Sequence, residues 1–251
     1  VKLKKRHGDI VDAVNRHGRV GVEQLATRFG VSAETIRRDL TVLNDAGRLQ
    51  KVHGGAKRAR LFTEASFEDR MGEDAGAKLL IARKVTDIIG PGDTIFIDTG
   101  STTLACAAAL AETAPLTVIT NSVHIAQTFD KARNGSSVFL VGGEFGSGND
   151  QTLGTMAVEQ IGGFQADYAI LTVAAINAET GAMDASFHEA QIARAMRRNA
   201  RDTIIVATAA KAGRSAAYRL CRLDEIDMLV TDRAPDGAFA KALATARVEV
   251  R

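Results

Sequence analysis

The chain lacks the features that would place it in several large classes. No run approaches the roughly 18 apolar residues that a membrane span requires. The basic start Val1-Lys2-Leu3-Lys4-Lys5-Arg6 is followed by no apolar stretch of the kind a secretory signal carries. A cytoplasmic location with no membrane partner is the expectation. Only two cysteines occur in 251 residues. Cys106 and Cys221 lie far apart, neither has a C-x-x-C partner, and each sits in an apolar segment, which predicts buried free thiols. His124 and His188 have no histidine three or four residues away, so zinc is not expected. The run Gly142-Gly143-Glu144-Phe145-Gly146-Ser147-Gly148 has neither dinucleotide-binding spacing nor a P-loop lysine, and no G-x-S-x-G elbow occurs. No metal, cofactor or catalytic set is expected.

What is present is an asymmetry of charge. Residues 1 to 60 hold 14 Lys+Arg against 6 Asp+Glu, and residues 61 to 251 hold 18 against 24, so a head of +8 is joined to a body of −6. A small basic head on an acidic body points to a polyanion as the partner of the head. Length allows one or two domains, and 45% hydrophobic residues suffice for real cores.

The head carries a recognisable pattern. Ile10, Val11 and Val14 form an apolar face that ends at Gly18. Val20 and Val22 then give a short extended entry to a helix over 22–29, with Gly21 as N-cap and Glu23 complementing the helix dipole. Leu25, Ala26 and Phe29 face inward, Gly30 breaks the helix, and Val31 plugs the angle before Ser32 caps a third helix. Ile36, Leu40 and Leu43, at i, i+4 and i+7, make one buried stripe on that helix. Ser32, Glu34, Thr35, Arg37, Arg38 and Thr41 are left where a recognition helix meets base edges and phosphates. After Gly47 closes the helix, residues 48–58 alternate apolar and basic types around Gly54-Gly55. That is the pattern of a β-wing laying Lys51, His53, Lys57 and Arg58 on phosphates. The alternative is a three-helix bundle with a merely solvated hairpin.

The run Val31-Ser32-Ala33-Glu34-Thr35-Ile36-Arg37-Arg38-Asp39-Leu40, with Leu43, Gly47, Leu49 and His53-Gly54-Gly55-Ala56, resembles the DNA-binding domain of the DeoR family of bacterial sugar-responsive repressors. The resemblance implies that Thr35, Arg37 and Arg38 touch DNA, and that Asp39 orients an arginine instead of meeting phosphate.

Residues 59–77 lack a sustained period and read as a linker, with Phe67 and Arg70 docking it onto the body. A helix over 78–89 then opens an alternation of strands at 94–98, 116–120, 138–141, 168–173, 203–207, 228–231 and 248–250 with helices near 103–111, 122–130, 154–161, 188–200 and 236–246. This predicts a doubly wound, mostly parallel α/β sheet, whose ligand sits beyond the carboxyl ends of the strands. Those ends are rich in hydroxyls and glycine: Asp98-Thr99-Gly100-Ser101-Thr102-Thr103, Thr120-Asn121-Ser122 and Gly142-Gly143. The first can surround an anion at a helix N-terminus. Taken singly, each is more often a helix cap or a turn; three at equivalent positions point to a site.

These segments are similar to the DeoR family's sugar-phosphate sensor, which implies a fold of the ribose-5-phosphate isomerase-like type. Asp184, Phe187, His188 and Glu189 resemble the branch that represses glycerol-3-phosphate genes. Two loops depart from the family: Ala175-Ile176-Asn177 stands where Gly-Ile-Asp is usual, and Thr208-Ala209-Ala210-Lys211-Ala212-Gly213-Arg214 where Asp-Ser-Ser-Lys-Phe-Gly-Arg is usual. Lys211 and Arg214 persist, so a phosphate can still be held by charge, while contacts to its sugar side are thinner.

The expectation is a repressor with a winged helix-turn-helix at 1–58, a linker at 59–77 and an effector-sensing domain at 78–251. A dimer or tetramer would bind double-stranded operator DNA and release it when a phosphorylated small molecule occupies the strand ends, with Glu189 and Lys211 completing that site. The alternatives are a sugar-phosphate isomerase tethered to DNA, with Glu189 and Asp98 as bases, and a DNA-bound scaffold without a ligand.

Overall fold

The computed structural model describes residues 2–45, 48–58 and 65–251, and the chain divides into an N-terminal and a C-terminal unit. In the first, α1 (Lys2–His17), β1 (Arg19–Gly21), α2 (Val22–Phe29) and α3 (Ala33–Asp45) precede the hairpin of β2 (Gln50–Val52) and β3 (Gly55–Lys57). The apolar positions at helical spacing close its core: Ile10, Val14, Leu25, Ile36 and Leu40 have no exposed surface. Burying each such side chain stabilises by about 1.5–3 kcal/mol, which holds together a unit this small. Strand β3 pairs antiparallel with both β1 and β2, so the entry around Val20 is a third strand of the wing sheet. The approach of β1 requires Gly55, where a Cβ would stand 2.2 Å from the carbonyl oxygen of Val20. The predicted helix stop at Gly47 and the linker residues 59–64 lie outside the described residues.

The linker expected over 59–77 is corrected from residue 67 onward, where α4 (Phe67–Gly72) forms and α5 (Ala75–Thr86) starts. Six residues are too few to show a period, but Ser66 caps the helix by accepting from Asp69 N at 3.2 Å. Phe67 and Arg70 are both buried.

The C-terminal unit continues through β4 (Thr94–Ile97), α6 (Ser101–Ala111), β5 (Thr117–Thr120), α7 (Val123–Ala132) and β6 (Ser137–Leu140). A hairpin, β7 (Glu144–Gly146) and β8 (Gln151–Leu153), leads to α8 (Gly154–Ile161) and β9 (Ala166–Thr172). Then follow β10 (Ala175–Asn177), β11 (Gly181–Asp184), α9 (Phe187–Arg198), β12 (Ala200–Val206), β13 (Tyr218–Cys221), β14 (Met228–Val230), α10 (Gly237–Thr245) and β15 (Glu249–Val250). Seven strands form one parallel sheet in the order β15-β14-β12-β9-β4-β5-β6, each within three residues of its predicted bounds. The hairpin and the small antiparallel sheet β10-β11-β13 were not legible as strands, being only three or four residues long, too short to show alternation, and β13 pairs with β11 from more than thirty residues away.

Alternation along each strand builds two cores. Ile95, Ile97, Val118, Ile170, Ile204 and Val206 face α5, α6 and α7, while Phe96, Ile119, Ala169, Leu171 and Ile205 face α8, α9 and α10. The sheet is therefore covered on both sides, as a doubly wound fold requires. Both cysteines are buried free thiols, and burial pushes them up to about 12, where they stay protonated and inert.

Read as positions in the sheet, the chain steps from β4 outward to β5 and β6, then returns to β9 on the other side of β4. The strand order thus reverses between β4 and β9. In open parallel sheets the crevice beyond the carboxyl ends at such a reversal is the ligand site, because the connections leave in opposite directions and the two strand ends stay uncovered.

Candidate DNA interface and effector cavity

On the N-terminal unit, Arg37 and Arg38 project from α3 opposite the buried stripe, their side chains 54% and 80% exposed. Glu34 faces both, at 3.6 Å and 3.5 Å. Exposed pairs of this kind contribute little to stability and give way readily to a phosphate. Ser32 and Thr35 are drawn into the start of the helix: Thr35 N donates to Ser32 Oγ at 3.2 Å, and the two hydroxyls share a 2.9 Å hydrogen bond. Thr41 and Lys51 meet, Lys51 Nζ donating to Thr41 Oγ1 at 2.8 Å, so α3 and the wing present one continuous polar surface. His53 is exposed at the tip of the wing and Lys57 is half-buried on β3. Arg58 is set apart, because its guanidinium donates to the Asn15 carbonyl at the end of α1.

Asp39 orients an arginine, but the arginine is Arg6, 33 residues earlier. Its buried carboxylate accepts from Arg6 Nε at 2.7 Å, Arg6 Nη2 at 3.1 Å and His7 Nε2 at 2.9 Å, tying α1 to α3. Sequence reasoning identified the role and missed the partner, since nothing local links the two helices. Burial works against the Asp39 charge, yet the hydrogen bonds from Arg6 and His7 and their charges outweigh it and hold its pKa below the ordinary value. A depressed folded pKa means stabilisation that is present above the unfolded value, about 3.9, and lost as pH falls through the folded one. Acidification below about pH 4 should therefore loosen α1 and α3 in the wild type, and Asp39→Asn should remove that acid step while weakening the unit at neutral pH. Amide hydrogen exchange of α1 and α3 in the full chain checks this; an unchanged acid profile in the variant would show that Asp39 carries no such linkage.

In the C-terminal unit the reversal between β4 and β9 is occupied by Asp98, whose two carboxylate oxygens accept from Thr172 N at 3.0 Å and 3.1 Å. Burial, reinforced by the nearby charges of Asp184 and Glu189, raises its pKa well above the ordinary value despite the Thr172 hydrogen bond and Lys211. Around it lies a small cavity lined by Arg70, Asp98, Thr99, Asn121, Gln151, Thr172, Asp184 and Glu189, with Val173, Ala174 and Ile192. Its free volume is about 10 Å³, on the scale of one water molecule.

The hydroxyl-rich strand ends separate into two groups here. Thr103 Oγ1 donates to Gly100 O, Thr120 Oγ1 accepts from Ser122 N, and Ser122 Oγ caps α7 by accepting from Ile125 N, so these three serve the backbone. Thr99 Oγ1, Thr102 Oγ1 and Asn121 Oδ1 are fully enclosed with no hydrogen-bond partner. Such atoms cost about 1–3 kcal/mol each when left unmade; Thr99 and Asn121 line the small cavity, and Thr102 lies in the first turn of α6. Ser101 is buried in the first turn of α6. Gly100 lets α6 start close to β9, since a Cβ there would stand 2.4 Å from Thr172 Cγ2. Gly142 and Gly143 are not cavity residues. Gly142 N donates to Gln160 Oε1 at 2.7 Å, and Gly143 packs against Leu153.

A relay of side chains closes the cavity. Asn121 Nδ2 donates to Gln151 Oε1 at 3.2 Å, Gln151 Nε2 to Glu189 Oε1 at 2.5 Å, Asn149 Nδ2 to the same Glu189 oxygen at 2.7 Å, and Arg70 Nη2 to Asn149 Oδ1 at 3.2 Å. Lys211 Nζ donates to the carbonyl of Val173, a wall residue. Gln151, Asn149 and Thr172 carried no sequence signal as site residues, because only the β7–β8 hairpin and the neighbouring strand bring them in. Asn177, in one of the two departing loops, accepts from Glu179 N, Thr180 N and Thr180 Oγ1, and so makes a turn.

A larger hollow, about 530 Å³, lies between residues 178–181, 219–224 and α10. It is open, and none of the described unpartnered polar atoms belongs to it, so the small cavity is the better candidate. Among the described residues no group of three or more His, Cys, Asp or Glu could hold a metal ion, and no helix is long and apolar enough to cross a membrane.

A DeoR-like helix-turn-helix domain matches residues 6–60, and a DeoR C terminal sensor domain matches residues 73–233. The glycerol-3-phosphate regulon repressor of Escherichia coli (strain K12) is 30% identical over 250 residues, covering 100% of this chain and 99% of that protein. The HTH-type transcriptional repressor GlcR of Bacillus subtilis (strain 168) is 31% identical over 242 residues, covering 96% and 93%. Among solved structures, ribose 5-phosphate isomerase A from Methanocaldococcus jannaschii matches with a TM-score of 0.42 and 14% identity, covering 56% of this chain and 55% of that one. The chain belongs to the DeoR family of transcriptional regulators, a helix-turn-helix domain followed by the family's sensor domain.

Proposed function

We propose that this regulator represses its target genes by binding operator DNA through α3 and the wing, and releases it when a phosphorylated polyol or sugar enters the cavity at the β4–β9 reversal. The observation that carries the reading is the enclosed, unpartnered polar atoms of Thr99 and Asn121 in the cavity wall, with that of Thr102 beside them in the first turn of α6. Carboxylates of Asp98, Asp184 and Glu189 line the cavity and suit hydroxyl groups, while Arg70, Lys211 and the N-terminus of α6 suit a phosphate. Relatives named for glycerol-3-phosphate control support the same ligand class.

The cavity is too small for such a molecule as it stands. A ligand that fits only a wider state binds that state with preference, and differential affinity of this kind is the only means by which an effector shifts a conformational equilibrium. A symmetric oligomer, a dimer or a tetramer, would present paired heads to repeated half-sites. All three acid groups at the cavity are engaged, Asp98 by Thr172 N, Asp184 by Ser186 N and Glu189 by the amides of Asn149 and Gln151, which suits a cavity that serves binding.

The test uses a duplex selected from random DNA by the purified protein, then titrated with glycerol 3-phosphate, ribose 5-phosphate, glucose 6-phosphate and glucosamine 6-phosphate. One of them should release the duplex and raise thermal stability, by about 2.7 kcal/mol at 100 times its Kd, and none should be converted. Lys211→Ala should keep DNA binding and respond only at much higher effector concentration. Sustained conversion of a sugar phosphate, or release at the same concentration by wild type and variant, would contradict the reading.

A further inference from the structure

One cationic side chain lines the cavity and two more hold backbone carbonyls of its wall residues, Lys78 that of Arg70 and Lys211 that of Val173; the lining cation comes from the short helix α4, within the segment expected to be a linker. Arg70 on α4 lines the cavity and is nine-tenths buried. Lys78 on α5 is buried as well, and its Nζ donates to the carbonyl of Arg70. Burial depresses the Lys78 pKa, with the charges of Lys211 and Arg70 acting in the same direction and those of Asp74 and Glu73 opposing it. An anion placed among the three cations would relieve their repulsion.

The walls of the cavity are not equally fixed. Asp98, Thr99, Asn121 and Thr172 sit at the ends of β4, β5 and β9, which are locked by the backbone ladder of the parallel sheet. Helix α4 is attached differently. Phe67 stacks on His124 with ring centroids 5.5 Å apart, Arg70 reaches Asn149 and stands over the Phe67 ring, and Lys78 holds the Arg70 carbonyl. These are side-chain contacts, and a wall held so is the one that moves at least cost when a ligand far larger than one water must be admitted.

We infer that Arg70 is an anion ligand of the effector, and that α4 is the movable wall through which occupancy of the cavity is felt by the chain leading back to the DNA-binding unit. The inference rests on the reading of the cavity as the effector site. A guanidinium is the group suited to this task, because its planar fork can take two phosphate oxygens at once while remaining anchored to the helix that carries it.

The experiment uses the full chain and three variants, Arg70→Gln, Arg70→Lys and Thr102→Val. Calorimetric affinities are measured for inorganic phosphate and for the tightest of the four sugar and glycerol phosphates named above, together with release of the selected duplex relative to each variant's own affinity without probe. Arg70→Gln should weaken the probe at least tenfold and Arg70→Lys at least threefold, with duplex release lost or shifted in the same order. If Arg70→Gln does not fold, the lysine variant decides. Probe affinity within twofold of wild type in the folded arginine variants overturns the inference. Thr102→Val separates the two levels: if it weakens the probe while the arginine variants do not, Arg70 alone is dismissed and the cavity stands. If neither position matters, or no probe binds, the effector reading falls and the role of Arg70 falls with it.

Discussion

Replacing Arg37 and Arg38 together by Ala should abolish recognition of the selected duplex without unfolding the N-terminal unit. Each guanidinium is exposed on the face of α3 opposite Ile36, Leu40 and Leu43, so neither contributes to the core. Their partner Glu34 is exposed too, and its loss of two weak pairs is of little consequence for folding. At a DNA surface the same groups carry the interaction: a base-reading arginine contributes about 1–3 kcal/mol with sequence preference, and a phosphate contact a uniform share and part of the salt slope. The double variant should therefore lose roughly 10²- to 10⁴-fold in affinity at fixed salt. Titrations at several salt concentrations, with the single variants alongside, tell base reading from phosphate contact. Affinity within threefold of wild type in the double variant would remove α3 from the interface.

A methyl group at Gly100 should do at the effector cavity what truncation does at the DNA face. Its Cβ would stand 2.4 Å from Thr172 Cγ2 and 3.1 Å from Thr103 Oγ1, inside a strand reversal where Thr172 N is held by both oxygens of Asp98. Either the start of α6 or the end of β9 must shift, at a cost of about 1–3 kcal/mol for overpacking. The shift also displaces Thr99 and Thr102, two of the three groups that await a partner. Gly100→Ala is thus expected to hold DNA and to ignore the effector, with effector affinity reduced by an order of magnitude or more. Adding Thr172→Ser removes the clashing methyl and should restore most of both stability and response, because the two changes touch the same contact. Wild-type effector affinity in Gly100→Ala would show that the ligand does not use this strand reversal. Failure of Thr172→Ser to restore it would locate the damage elsewhere.

The sequence alone determined the elements whose apolar pattern or turn chemistry is sustained enough to read, and missed the shortest ones, α4 and the β7–β8 and β10–β11 hairpins. The stripe Ile36, Leu40 and Leu43, the cap at Ser32 and a glycine turn, which the structure places at His53-Gly54 with Gly55 opening β3, specified a helix-turn-helix and a wing, because helical periodicity and turn chemistry act over a few residues. The seven strands and their order of alternation with helices were legible for the same reason, and with them the class of fold. Only the tertiary structure decided which polar residues are free to act. Thr103, Thr120 and Ser122 look like Thr99, Thr102 and Asn121 in the sequence, yet the side-chain oxygens of the first three are consumed by nearby backbone groups, and those of the others are enclosed without a hydrogen-bond partner. That difference lies in the direction each side chain takes at a strand end, which neighbouring strands impose. Arg6 on Asp39 and Arg70 on Asn149 are likewise matters of tertiary placement, joined across 33 and 79 residues. Electrostatic and hydrogen-bonding partners are chosen by proximity in space, and the chain carries no local pattern from which such pairings could be read.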